Sequence, residues 1–223
     1  MEIVKPKIIV EDFDSIKIMK RLERACRTCY RSEDLITEDS YKKLLKNCIT
    51  KGHESILEHE KITVRMICDV GAYKDLTRHR AGTAFSIEST RYCNYSKDKY
   101  TNSIKFIEPT FIDNDENVEE WKNAMQNIEN SYMKMASNGA RPDELRMLLP
   151  HSTAAEVTMT CNIREWKHIL SLRCAKTVHP SIRQLLIPLL LKFKEEMPEI
   201  FDDVPYDIDF PKNWYAELDV EKL

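Results

Sequence analysis

Glycine is scarce in this chain, and the scarcity limits how the protein can fold around a phosphorylated ligand. Only four glycines occur among 223 residues, whereas the Rossmann fingerprint and the P-loop both depend on closely spaced glycines. We therefore expect any bound phosphate to be held mainly by side chains. The net charge of −3 also argues against a general nucleic-acid-binding protein, which needs a strongly basic face.

The cysteines and the apolar runs indicate a cytoplasmic protein. Seven cysteines are scattered without regular spacing, and an odd number suits a reducing compartment better than a disulfide scaffold. Cys26 and Cys29 form a CxxC pair, but their spacing favours small buried helix residues over redox or metal chemistry. No metal site is expected. The most apolar run, from Leu185 to Leu191, is far shorter than the roughly 20 residues that span a bilayer, so we expect no signal peptide and no membrane partner.

Hydrophobic periodicity predicts an α+β fold. Alternating or β-branched segments predict strands at residues 3–10, 61–69, 104–107 and 155–162. Apolar residues three or four positions apart predict helices at residues 13–26, 39–52, 71–80, 116–138, 142–147 and 164–196, the last broken near Pro180 and Pro188. We expect a single domain over residues 1–223, with a central, mostly antiparallel sheet flanked by helices and an acidic tail over residues 199–223.

One helix has an apolar stripe with two interpretations. Residues 116–138 carry Val118, Trp121, Met125, Ile128, Tyr132 and Met135 at alternating spacings of three and four. Such a narrow stripe packs either against the chain's own core or against the same helix of another subunit. The sequence leaves both possibilities open.

The cluster Arg78-His79-Arg80 is the strongest local sign of a binding site. Adjacent helical residues point about 100° apart, so the three could serve one ligand only where a helix ends in a loop. Residues 81–96 read as such a loop and add the hydroxyl groups of Thr83, Ser86, Ser89 and Thr90. Guanidinium and hydroxyl donors are suited to a phosphate monoester or a pyrophosphate. A solvated surface patch is the alternative for an isolated cluster.

Several segments resemble, in the same order, those of the flavin-dependent thymidylate synthases (the ThyX family). Arg78-His79-Arg80 followed by ESTRYCNYS resembles the family signature, although eight residues instead of seven separate Arg80 from Ser89. We interpret the difference as a one-residue insertion near Thr83 or Ala84. The other matching segments are GHESILEH at 52–59, LRMLLP at 145–150, TCNIR at 160–164 with Leu172-Arg173, and HPSIR at 179–183. Together they extend from about residue 25 to residue 185.

The resemblance implies an enzyme that converts dUMP to dTMP without a cysteine nucleophile. In the family, 5,10-methylenetetrahydrofolate supplies the carbon and NADPH-reduced FAD supplies the reducing equivalents. The resemblance also implies a homotetramer whose active sites form where subunits meet.

Site residues carry over from the motifs as expectations. Arg173 is the expected catalytic residue, because charge accumulates on the pyrimidine carbonyl oxygens during the reaction. The expected dUMP-binding residues are Asp75, Arg78, Glu88, Ser89, Arg91, Arg146 and Arg173. The expected FAD-binding residues are His53, Ser55, Arg78, His79, Arg80, Asn162 and His168. By contrast, we expect Arg164 and Arg183 to form ordinary salt bridges on helix faces.

Two further functions are compatible with the sequence. One is a related enzyme that transfers a hydroxymethyl group to a pyrimidine nucleotide, which the product formed from dUMP would reveal. The other is a non-catalytic protein whose basic loop binds nucleotides or nucleic acid. Such a protein would be colourless, whereas a flavoprotein is yellow.

Overall fold

The computed structural model describes residues 1–222, and these fold into helices packed on a sheet. The strands are β1 (Glu2–Val4), β2 (Lys7–Glu11), β3 (Lys61–Asp69), β4 (Thr83–Ile87), β5 (Lys105–Ile107), β6 (Ala154–Asn162) and β7 (Glu217–Glu221). The α-helices are α1 (Ser15–Thr28), α2 (Ser40–Thr50), α3 (Val70–Leu76), α4 (Asp115–Ser137), α5 (Pro142–Leu145), α6 (Ile163–Arg173), α7 (Pro180–Glu196) and α8 (Pro198–Phe201). No helix among residues 1–222 is both long and apolar enough to cross a bilayer.

The main sheet has five strands in the order β4-β6-β3-β2-β7. The pairings of β4 with β6, β6 with β3 and β3 with β2 are antiparallel, whereas β7 joins β2 in parallel. The predicted α+β arrangement of a sheet flanked by helices is confirmed. The sheet is mixed, however, and not the mostly antiparallel sheet that we predicted, because the chain crosses over before it adds β7 at the edge.

The central strand β3 shows the alternation that its sequence predicts. Ile62, Val64 and Met66 are buried, and they pack with the apolar residues of α1, α2, α6 and α7 in one hydrophobic core. On the opposite face the Thr63 and Thr160 hydroxyls lie 2.8 Å apart. This polar face also carries Arg65, whose guanidinium forms ion pairs with acidic residues of three other strands: Glu11, Glu156 and Glu221.

Helix α6 is fixed to the sheet by one large side chain. Trp166 is completely buried, and its indole Nε1 donates a hydrogen bond to the main-chain oxygen of Ile62 at 3.0 Å. Its ring meets the Phe193 ring of α7 edge to face, with 6.2 Å between the centroids. Trp166 thus ties α6 to both β3 and α7.

A second, smaller core lies beside the main sheet. Strands β1 and β5 pair in parallel, and the buried side chains of Phe106, Met125 and Tyr132 meet beneath them. The apolar stripe of α4 therefore packs in part against the chain's own core. Trp121 and Ile128 from the same stripe are only partly buried.

Several predicted element boundaries need correction. Residues 3–10 form two strands with Pro6 between them, because proline has no N–H to give to a ladder. Residues 83–87, which we interpreted as loop, form β4, with Thr83 opposite Cys161 and Ile87 opposite Val157 in β6. The predicted break near Pro180 is confirmed, because α6 ends at Arg173 and Pro180 occupies the first turn of α7, but α7 continues through Pro188 without a break. The acidic tail contains α8 and β7.

Proline 188 lies inside α7 without ending it. Because proline lacks an N–H, the main-chain oxygen of Gln184, four residues earlier, loses its usual helical donor. The main-chain N–H of Ala216 donates to that oxygen at 2.9 Å. The interruption in the α7 hydrogen-bond ladder therefore holds the segment that leads into β7.

Candidate functional site

The cluster Arg78-His79-Arg80 follows directly after α3. This helix ends at Leu76, earlier than predicted, and the His79 N–H donates to the Leu76 oxygen at 3.0 Å in the turn that follows. The turn leaves Arg78 and Arg80 exposed and buries His79, which is only 7% exposed. One ring therefore points into the protein while two guanidiniums face solvent.

Arg173, the last residue of α6, is held by residues at the end of α3. Its Nε donates to His79 Nε2 at 3.0 Å, and its Nη2 donates to the main-chain oxygen of Asp75 at 3.1 Å. The Asp75 carboxylate lies 3.9 Å from Nη1. An arginine side chain has five N–H donors, so the guanidinium keeps further donors for a ligand while its orientation is fixed.

The surroundings of His79 determine both which ring nitrogen carries its proton and whether the ring is charged. Since Nε2 accepts a hydrogen bond, the ring proton must be on Nδ1. Nδ1 lies 3.5 Å from the Glu165 carboxylate. Burial, together with the positive charges of Arg173, His168 and Arg78, lowers the pKa of His79 to about 4 against the opposing charge of Asp75. The imidazole is therefore neutral at neutral pH.

The neutral His79 should make the folded protein less stable in mild acid. An unfolded histidine has a pKa near 6.5, so between pH 6.5 and pH 4 the unfolded chain binds a proton that the folded protein does not. Stability should fall as the pH drops through this window, by at most about 1.4 kcal/mol per pH unit from this residue. Urea unfolding at several pH values should show a steeper loss for the wild type than for His79→Asn. Equal slopes in the two proteins would contradict this assignment.

Asn162 and Gly82 form the wall of a cleft at the start of α6. The Asn162 side chain caps the helix by accepting from the Glu165 N–H at 2.8 Å. Gly82 has a φ of +60° and lies directly against the Asn162 amide. Both residues line a cleft of about 790 Å³ together with His168, and both line an adjoining groove together with Arg80. The structure thus brings together Arg80, Asn162 and His168, three of the residues expected to bind FAD.

Gly82→Ala should disturb this wall more than a comparable change elsewhere. A Cβ atom at residue 82 would lie 2.6 Å from Asn162 Nδ2, in addition to the cost of a left-handed conformation. If the amide moved away, α6 would lose its cap, which typically costs 0.5–2 kcal/mol. We expect a loss of about 2–3 kcal/mol in unfolding free energy. Gly52→Ala is the matched control, because Gly52 has a φ of +72° and open space around it. Equal losses would exclude the contact with Asn162 as the cause.

Four of the expected ligand arginines have no acidic partner in the structure. Within residues 1–222, none of the exposed side chains of Arg78, Arg80, Arg91 and Arg146 forms an ion pair within 4.0 Å. Arg164 and Arg183, which we expected to be structural, pair with Glu58 and Asp207. Exposed guanidiniums without a carboxylate partner are suited to phosphate groups.

Two other expected dUMP residues lie in a different environment. The Glu88 carboxylate accepts from the Tyr95 hydroxyl at 2.8 Å and lines a separate cavity of about 530 Å³. The Ser89 main-chain oxygen accepts from the Tyr92 and Cys93 N–H groups in a turn after β4. Across residues 1–222, no side-chain hydrogen bond links Glu88, Ser89, Arg91 or Arg146 to Arg173. Their roles in dUMP binding stay predictions.

The expected FAD residues His53 and Ser55 are exposed at the start of a short 3₁₀ helix, Glu54–His59. This helix is tied to α6, because Lys167 Nζ lies 3.1 Å from the Glu54 carboxylate. Glu54 and Lys167 also line the 790 Å³ cleft. His53 and Ser55 thus lie next to the cleft on a segment that α6 holds in place.

Glu165 is a residue that the sequence analysis missed. It comes three positions after Asn162, which is the spacing of a capping box. This spacing is the one feature of the sequence that points to Glu165, and it indicates only a helix cap. His151 and His179 were likewise not assigned a role, and both line a cavity of about 370 Å³ together with Asp75.

Comparison with known proteins identifies the family. The family model described as thymidylate synthase complementing protein (Thy1) matches residues 15–199. The chain belongs to this family. The flavin-dependent thymidylate synthase of Pyrococcus abyssi is 30% identical over 161 residues, which cover 71% of this chain and 65% of that protein. The enzyme of the same name from Geobacter sulfurreducens is 26% identical over 187 residues, covering 80% of this chain and 78% of that protein.

Solved structures of a thymidylate synthase and of a nucleotide methylase share the fold. Thymidylate synthase X from Helicobacter pylori, crystallised with FAD and dUMP, superposes with a TM-score of 0.72 at 19% identity over 89% of this chain and 98% of that chain. The UMP/dUMP methylase PolB from Streptomyces cacaoi, bound with 5-Br dUMP, gives a TM-score of 0.70 at 21% identity over 91% and 96%. The resemblance inferred from the motifs to the flavin-dependent thymidylate synthases is thereby confirmed.

Proposed function

We propose that this protein is a flavin-dependent thymidylate synthase that converts dUMP to dTMP. In this reaction 5,10-methylenetetrahydrofolate provides the carbon and NADPH provides the reducing equivalents through FAD. The observation that carries the proposal is the family match over residues 15–199. The site is consistent with it, because Arg173 is fixed at its Nε and Nη2 atoms while its other donors remain for a ligand.

Arg173 has the central role in the proposed mechanism. Its guanidinium donates to a carbonyl oxygen of the pyrimidine and stabilises the negative charge that makes C5 nucleophilic. Arg91 and Arg146 hold the dUMP phosphate, with Ser89 as an additional hydroxyl donor. Asp75, Arg78 and Glu88 complete the proposed dUMP set, although Glu88 must share its carboxylate with Tyr95.

The residues at the cleft fit the chemistry of FAD. With only four glycines in the chain, the FAD pyrophosphate needs cationic side chains. Arg80 presents an exposed guanidinium in the groove that adjoins the cleft, and Arg78 is a second exposed arginine two residues earlier. The walls and margin of the cleft carry polar groups from Asn162, His168, His53 and Ser55. His79 is buried and its two ring nitrogens face Arg173 and Glu165, so its proposed part in the FAD site is indirect. When bound, reduced FAD supplies the reducing equivalents for the reaction.

Four buried cysteines are unsuited to act as a thiolate nucleophile. Burial is the main cause that raises the pKa of Cys26 and of Cys161 to about 12. Thiols of this kind remain protonated at neutral pH and are poor nucleophiles. Burial likewise raises the pKa of Cys68 and of Cys174.

We further propose that residues 1–223 form a single domain and that the protein assembles as a homotetramer. We place it in the cytoplasm. Exposed apolar side chains next to expected ligand arginines support sites that are completed by another subunit: Tyr92 is 76% exposed and Met147 is 82% exposed. A reducing compartment is supported by the seven cysteines, all of which are free thiols. Size-exclusion chromatography with light scattering would give the subunit number.

The test of function is an absorbance spectrum followed by product analysis. The purified protein should be yellow, and NADPH should bleach its flavin absorbance. With dUMP and methylenetetrahydrofolate added, mass spectrometry should find dTMP. A hydroxymethylated nucleotide would favour the alternative transferase. A colourless protein that added FAD does not restore would refute the proposed function and favour a nucleotide-binding protein.

A further inference from the structure

We propose that Glu165 is a positioning residue that acts through the His79 ring to hold Arg173 in its working orientation. The inference rests on the proposed role of Arg173 at the pyrimidine, and it adds a residue to which the motifs assign no contact with dUMP or FAD, although Glu165 lines the 790 Å³ cleft. It follows from the order of the contacts: Glu165 faces His79 Nδ1, and His79 Nε2 accepts from Arg173 Nε.

Both ends of this chain of contacts lie on α6. Glu165 is in the first turn, where the Asn162 side chain fixes its N–H, and Arg173 is the last residue of the helix. His79 comes from the turn after α3 and bridges the two. The exposed side-chain fractions of Glu165, His79 and Arg173 are 11%, 7% and 18%. Shielded groups of this kind keep one arrangement because water competes poorly for their hydrogen bonds.

The tautomer of His79 gives Glu165 its function. A neutral imidazole has one N–H donor and one acceptor nitrogen, and the partner of one nitrogen selects the tautomer. A carboxylate facing Nδ1 favours the proton at that atom and leaves Nε2 free to accept from Arg173. In the other tautomer an N–H on Nε2 would face the N–H of Arg173 Nε, and the contact would be lost. Glu165 therefore favours the one neutral form of His79 that can hold the arginine.

Burial and the neighbouring positive charges keep the His79 ring from becoming a cation. The His168 ring lies edge-on with its centroid 6.0 Å from that of His79. Arg173 and Arg78 add positive charge, while the Asp75 and Glu165 carboxylates oppose them. A protonated ring would carry donors on both nitrogens and could not accept from Arg173. The arrangement thus requires a neutral ring with a chosen tautomer, and both conditions are met.

Holding Arg173 in this way affects turnover more than binding. An arginine side chain has several rotatable bonds, and a guanidinium that is oriented in advance stabilises developing charge without first having to reorganise. Loss of Glu165 should therefore lower kcat while the KM for dUMP changes less. A purely structural role would instead reduce the unfolding free energy and the FAD content together.

The experiment compares holoenzyme variants at Glu165. Glu165→Ala should lower kcat at least tenfold with FAD content and melting temperature near those of the wild type. Glu165→Gln keeps an oxygen that can face Nδ1–H, so it should retain most of the activity. Glu195→Gln, which removes an exposed carboxylate of α7, serves as the matched control and should behave as wild type.

A double-mutant comparison separates positioning from other effects. In an Arg173→Lys background the Nε contact is absent, so Glu165→Ala should cause no further loss of kcat. A full additional tenfold loss there would overturn the proposal, as would wild-type kcat in Glu165→Ala. Loss of FAD in Glu165→Gln in proportion to its lost activity would also overturn it.

A spectroscopic readout is independent of turnover. Nitrogen-15 NMR of the holoenzyme labelled at histidine should show His79 with its proton on Nδ1, and Glu165→Ala should shift the population towards the other tautomer. An unchanged tautomer in Glu165→Ala would refute the inference. If the wild type makes no dTMP, the proposed function fails, whereas the tautomer measurement still tests the link between Glu165 and His79.

Discussion

Arg173→Ala should lower the rate of dTMP formation by about 10²- to 10³-fold, the usual cost of removing a donor that stabilises developing negative charge. FAD should stay bound, because the exposed guanidiniums and the walls of the cleft belong to other residues. The main-chain positions of His79 and Asp75 do not depend on Arg173, because hydrogen bonds of the turn at the end of α3 fix them. The measurement is single-turnover formation of dTMP at saturating dUMP and folate, with flavin content recorded for each preparation.

Arg24→Ala provides a matched control for this substitution. Arg24 is an exposed arginine of α1, and its removal should leave turnover and flavin content unchanged. Wild-type turnover in Arg173→Ala would refute its assigned role. Loss of flavin in parallel with activity would instead show that Arg173 serves the cofactor.

Trp166→Ala should produce the largest loss of stability in the protein. The ring is fully buried between β3 and α7, and replacing a buried Trp by Ala typically costs 3–5 kcal/mol. The Ile62 oxygen would also lose the indole donor. Urea unfolding should show the loss as a lower midpoint. Because α6 carries Asn162, Glu165, His168 and Arg173, flavin retention should fall with it.

Trp166→Phe separates the two contributions. Phenylalanine restores most of the apolar contact with Phe193 but has no N–H for Ile62. We expect it to recover more than half of the stability lost in Trp166→Ala, since a single hydrogen bond contributes about 1 kcal/mol. If Trp166→Phe were as unstable as Trp166→Ala, the hydrogen bond and not the packing would hold α6 on the sheet.

Patterns that depend on neighbouring residues were predictable from the sequence, as β3 shows. Its alternating side chains define both the limits and the buried face of residues 61–69. Strand β4 was missed because its serine and threonine side chains resemble those of a ligand-binding loop, although Phe85 and Ile87 do alternate with Ala84 and Ser86. Strand β7 was missed because it is a mostly exposed edge strand with little hydrophobic signal.

The sequence names candidate site residues one by one but not their arrangement. Motifs mark His79 and Arg173 as candidates, yet their contact joins residues 94 positions apart. The same limit applies to Glu165, whose spacing from Asn162 indicates only a helix cap. No local pattern encodes which side chain a histidine will face after folding, because that depends on how α3 and α6 pack.

The hydrogen bond between Gln184 and Ala216 has a consequence for how the end of this chain can change over evolution. The C-terminal segment is attached in large part by main-chain groups: Ala216 N to Gln184 O, Asp207 N to Cys174 O and Asp12 N to Glu221 O. Every residue except proline offers the same N–H and C=O groups. Substitutions can therefore accumulate at the exposed positions of residues 207–221 while the path of the backbone is retained, whereas Asp207, Phe210 and Ala216 are buried. Among relatives, shape should be preserved in this segment long after sequence similarity has faded.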